Sequence, residues 1–194
     1  MTTAAPIRNP GLRVFAAFLS DFRSLFGLTS KGLLLAPFAS ILIQTGPPWP
    51  GSSTTLALTG LTELAVLLTV FETSRRTPSM RAIRIFGAGA LAALIVYLAL
   101  HSYLVFSNYA GVPDVRGFAV QGDLRAKFGP LFTEEKALSG AGFVPFRVYA
   151  PWSIHLARLS LVVDWLVVTA MTAALFASLA IRLRGSAREK GHKQ

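Results

Sequence analysis

Residues 85–106 read IFGAGALAALIVYLALHSYLVF, without one Asp, Glu, Lys or Arg. A helix needs roughly 20 apolar residues to cross a hydrocarbon core, so this stretch alone is long enough. The charge-free run extends from Arg84 to Asp114, and a second runs from Lys31 to Glu63. The whole chain is 53% hydrophobic and 14% charged, against about a quarter charged in an ordinary soluble domain. The fold class expected is therefore an all-α membrane protein.

Besides residues 85–106, three further transmembrane helices are expected, at about 32–45, 53–71 and 154–181, making four. The first is short and carries Pro37, with Lys31 placed to snorkel. Between the first two, Gly46-Pro47-Pro48-Trp49-Pro50-Gly51 makes a tight uncharged turn with an interfacial tryptophan. Residues 1–31 form an N-terminal segment holding an interfacial amphipathic helix. Its Leu12, Phe15, Phe18, Leu19, Phe22, Leu25 and Phe26 share one face, opposite Arg13, Ser20, Asp21 and Ser24. Residues 107–152, with mixed charges, are expected as a small extracytoplasmic cap between the third and fourth spans. Within it Thr133-Glu134-Glu135 reads as a helix start, and Val115–Gln121 and Phe143–Tyr149 as short extended pieces. Residues 182–194 are a basic tail.

The net charge is +10, yet the basic residues abut the apolar blocks instead of forming an aromatic-interleaved face. No nucleic-acid partner is expected; anionic membrane lipids are. Thirteen Lys and Arg fall on the side of the termini and of the 72–84 loop, and six on the other. That bias places both termini in the cytoplasm of a bacterial-type inner membrane. There is no cysteine, which excludes disulfides, thiolate metal sites and thiol catalysis.

Three polar residues, Glu63, Tyr97 and Asp164, fall about ten residues from the same ends of their spans. At 1.5 Å per residue they share a depth near mid-bilayer, where acids must face inward because exposure costs several kcal/mol. They are expected to form an intramembrane polar cluster, as helix-joining hydrogen bonds or as an ion or proton path. His101 and His155, on antiparallel spans, and Arg158, one turn into the fourth, are candidate haem or ligand contacts. Arg158 suits either an anionic headgroup or an acid of the cap loop. Gly87, Gly89 and Ala93 leave a helix-packing groove, extended by Ala88 and Ala92, through which association with a partner is expected.

No Walker loop, nucleophile elbow, HExxH helix or intramembrane aspartyl-protease motif is present. Neither cofactor nor bound metal is expected. The function expected is a non-catalytic integral membrane subunit that assembles with other membrane subunits or with itself. Two alternatives stand beside it. One is an oligomeric ion channel or pore lined by Glu63, Asp164 and Thr55, Thr59, Thr62 and Thr69. The other is a haem- or quinone-binding electron-transfer subunit using His101 and His155.

Overall fold

The computed structural model describes residues 46–73, 79–108, 110–122, 124 and 133–191. The amphipathic segment 12–26, the span 32–45, Arg75 and Arg76 lie outside the described residues. Among those described, three helices are long and apolar enough to cross a membrane. They are α1 (Ser52–Thr73), α2 (Met80–Leu104) and the apolar part of a longer helix that begins at Pro151.

Helix α1 begins where the Thr55 amide donates to the Gly51 carbonyl, with Gly51 at a φ of 115° that suits glycine. Thr55, Thr59, Glu63, Leu67 and Val70 form its buried stripe, three or four residues apart as one helix face requires. Hydroxyls are costly in an apolar setting unless bonded. Those of Thr59, Thr69 and Thr73 donate to carbonyls four residues back at 2.7–2.8 Å. These three threonines are thus satisfied by their own helix, whereas the buried Thr55 hydroxyl has no hydrogen-bond partner among the described residues.

Ser79 caps α2, its hydroxyl accepting from the Ala82 amide at 3.2 Å. The helix stops at Leu104, two residues before the expected end, and the chain turns directly into a β-hairpin. Strand β1 (Val105–Ser107) pairs antiparallel with β2 (Pro113–Val115), Phe106 opposite Asp114. The Asn108 side chain closes the turn by accepting from the amides of Ala110 and Val112 at 2.9 and 3.0 Å. Of the extended pieces expected at 115–121 and 143–149, Val115 ends strand β2 and the rest pairs only through one bridge, Val120 to Tyr149, while Pro145–Arg147 is a 3-10 turn. Pro145 at the start of that turn suits a helical φ better than a strand. Helix α3 (Glu134–Gly140) starts at Thr133, whose hydroxyl accepts from the Lys136 amide at 3.4 Å, with Glu134 and Glu135 in the first turn.

Helix α4 (Pro151–Gly191) has 41 residues, about 60 Å at 1.5 Å per residue and twice the hydrocarbon thickness. It is the spine of the molecule, packing against both α1 and α2. Thr59 meets Trp165 and Leu67 meets Ala174 and Ala177, so α1 and α4 run parallel. Tyr97 meets Trp165 and Gly89 faces Met171, so α2 runs antiparallel to α4. Away from the hairpin, Ala173, Ala174, Ala177 and Ala180 form the buried seam of α4. Small residues there let backbones approach, and dispersion supplies the attraction in lipid.

At the other end, the described residues between Val105 and Ala150 build the cap. Phe106, Ala137, Leu138, Val148, Tyr149 and Ile154 form a small core of their own. Gly117 packs so tightly on Ser153 and Tyr149 that an added Cβ would collide with both. The cap is thereby held onto the first turn of α4.

Candidate intramembrane polar site

The polar site grows from Thr59 on α1, Tyr97 on α2 and Trp165 on α4. Trp165 carries an indole N–H that needs an acceptor when buried; Nε1 donates to Thr59 Oγ1 at 3.1 Å. Thr59 in turn donates to the Thr55 carbonyl at 2.7 Å, so one hydroxyl serves both helices. Tyr97 is fully buried, its ring 5.1 Å from that of Trp165 and tilted by 59°. His101, one turn toward the cap, lies 5.7 Å from the Tyr97 ring.

Asp164 precedes Trp165 on the α2-facing edge of α4, close enough to Tyr97 to act on it electrostatically. Its Oδ2 is buried without a hydrogen-bond partner among the described residues. Glu63 lies one turn beyond Thr59, away from the cap, with 9% of its surface exposed. No hydrogen bond or ion pair joins it to Asp164 among the described residues. The structure thus brings Tyr97 and Asp164 together around Trp165. Glu63 sits on the neighbouring buried stripe and is not Asp164's direct partner.

The chain matches no protein-family model, no curated protein and no solved structure. The functional reading therefore rests on the site itself.

Toward the cap, Arg158 Nη2 donates to Asp114 Oδ1 at 3.1 Å, and its guanidinium lies 5.5 Å from the Phe146 ring centre. Arg158 thus engages an acid of the loop. His155 is exposed with its ring 6.1 Å from Phe146. The two histidines pack on different aromatic residues, Tyr97 and Phe146. No group of three His, Asp or Glu side chains that would suit a metal is gathered among the described residues.

The helix-packing residues Gly87 and Gly89 face α4. A Cβ on Gly89 would stand 3.3 Å from Met171 Sδ, and one on Gly87 3.8 Å from Leu175. Ala93 is half-buried on the same face, but Ala88 and Ala92 are exposed. The groove is filled from within the chain, and Ala88 and Ala92 do not extend it.

Two features lay beyond the residues singled out from sequence as site members. Trp165 is the joint between three helices, and its need for an indole acceptor was the available signal. In the cap, buried Tyr149 donates to Glu134 Oε2 at 3.0 Å, near Arg116. Burial first, then the Glu134 carboxylate, pushes the Tyr149 phenol up. That contact joins residues fifteen apart, across α3 and the 3-10 turn, and no periodicity in the sequence marks it.

Proposed function

We propose that this chain is a non-catalytic integral membrane subunit that assembles with other membrane subunits or with copies of itself. The observation that supports this is the pair of inward acids. Neither Glu63 nor Asp164 has a hydrogen bond among the described residues, while Thr59 and Trp165 beside them are satisfied. A carboxyl in a lipid-embedded bundle is expensive unless a partner group meets it. An assembly that brings a donor to these acids removes the cost.

The test is purification in mild detergent from cells producing the protein at native level. The wild type is expected to elute with a partner, or as more than one copy. Glu63→Gln keeps a hydrogen-bonding side chain of similar size and should retain the assembly, whereas Glu63→Leu should weaken it. A wild-type protein that runs as a single chain, with nothing bound, sinks the proposal.

The same two acids suit a second reading, an oligomeric pore formed between copies. Thr59 favours it less, because it meets Trp165 of α4 and its hydroxyl is engaged with helix groups. Ion flux from loaded liposomes, abolished by Glu63→Gln in a normally assembled protein, would move the balance to that reading. A visible absorption spectrum of the purified protein tests haem at His101 and His155.

A further inference from the structure

Three exposed aromatic residues mark the cap end of the helices: Trp49 before α1, Tyr103 in the last turn of α2 and Trp152 in the first turn of α4. Such rings gather at the membrane–water interface. Phe146 does not stand above this level. Its ring contacts His155 and Arg158, which lie about 6 and 10 Å along α4 from Pro151 at 1.5 Å per residue. The 3-10 turn Pro145–Arg147 therefore descends beside the helix. Phe146 and Val144 are 42% and 39% exposed, although each belongs to a type that a free-standing cap would bury.

The neighbouring surface of α4 explains the exposure. His155, Leu156, Leu159 and Val163 are exposed in succession along it, and the last three are what a lipid-facing stripe contains. Phe146 adjoins the upper end of this stripe, and Arg147 beside it is exposed as well. We propose that the Val144–Arg147 turn is seated in the bilayer. Phe146 and Val144 enter the acyl region next to α4, and Arg147 meets lipid phosphates. One aromatic and one valine are far too small a patch for a stable protein interface, which buries about 800 Å² per partner. They are sufficient as an addition to a membrane surface that the helix already makes. The inference rests on α4 spanning the membrane, not on the assembly reading above.

Because the chain has no cysteine, single cysteines can carry a nitroxide without background. Phe146→Cys and Val144→Cys would be labelled in full-length protein in phosphatidylcholine–phosphatidylglycerol vesicles. Leu159→Cys serves as the lipid-facing reference and Gly140→Cys, on the exposed end of α3, as the aqueous one. Collisions with oxygen, which concentrates in lipid, and with a water-soluble nickel chelate are then compared. Labels at 146 and 144 should follow 159, favouring oxygen over nickel, with the order reversed at 140. Nickel collisions at 146 and 144 as frequent as at 140 overturn the proposal. Few collisions with either reagent mean that protein covers the turn, and overturn it equally.

Discussion

Trp165 and Tyr149 illustrate, at the residue scale, how polar groups are reconciled with burial. Trp165 gives its one N–H to a hydroxyl on another helix, a bond worth roughly 0.6 kcal/mol on average within membranes. Its value is more positional than energetic, since it fixes α1 against α4 at the level of Tyr97. Tyr149 is as buried, and its hydroxyl bonds Glu134. The depth of Glu63, Tyr97 and Asp164 was legible from their spacing, because rise per residue converts sequence position into height. Their mutual pairing was not, because height says nothing about rotation around each helix. For Tyr149, the folded phenol titrates above its ordinary value of 10.0. Folding thus favours the neutral form. The stabilisation is fully present below the unfolded value and is lost as pH rises past it. We expect the cap to become susceptible to limited proteolysis above about pH 10, where an unfolded tyrosine ionises. Tyr149→Phe should cost the cap about 1 kcal/mol at neutral pH and remove the alkaline component. An unchanged alkaline profile in that variant would assign the effect to another group.

The three described spans were legible from apolar run length, and their observed limits differ by only a few residues at most ends. The exceptions have physical causes. Residues 105 and 106 are as apolar as the helix before them, but they pair with β2 instead, and hydropathy does not distinguish the two. The 154–181 span proved to be the middle of a helix that starts at Pro151, a residue suited to a first turn, and runs to Gly191. Of the small residues expected to form a groove for a partner, Gly87 and Gly89 lie against Leu175 and Met171 of α4. A test follows from the 3.3 Å gap between a Gly89 Cβ and Met171 Sδ. Gly89→Ala asks only the mobile end of Met171 to yield and should be nearly neutral. Gly89→Leu drives α2 away from α4 and should destabilise the bundle by about 1–3 kcal/mol, the usual range for overpacking. Ala92→Leu, on the exposed face, is the control. Unfolding titrations in detergent would compare them; equal stability for Gly89→Leu and wild type would mean that the contact contributes little.

For the whole molecule, helix directions turn charge placement into a testable topology. Since α1 and α4 run parallel and α2 opposes them, one end holds the cap. The other holds Arg81 and Arg84 at the start of α2 and Arg182 on α4. Among the described residues, Arg81, Arg84 and Arg182 thus gather at the end away from the cap, as basic residues do on a cytoplasmic face, while Arg158 lies at the cap end and pairs with Asp114. A reporter after Gln194 should read cytoplasmic, and one inserted near Gly140 should read external. The same side for both would mean that α4 does not cross. A third reporter, ahead of residue 1, addresses the span expected at 32–45 by parity alone. The three described spanning helices carry the chain from the cap end at Ser52 to the tail end. If residues 32–45 also cross, the N-terminus lies on the tail side and its reporter reads cytoplasmic. If they do not, that reporter joins the one at Gly140. Pro37 and the short apolar length argue against an easy crossing, while Arg8, Arg13, Arg23 and Lys31 ahead of it resist export. Moving the segment's four preceding positive charges across the membrane would oppose the bias that orients the rest. We therefore expect the N-terminal reporter to read cytoplasmic. An external reading would reduce the protein to three crossings.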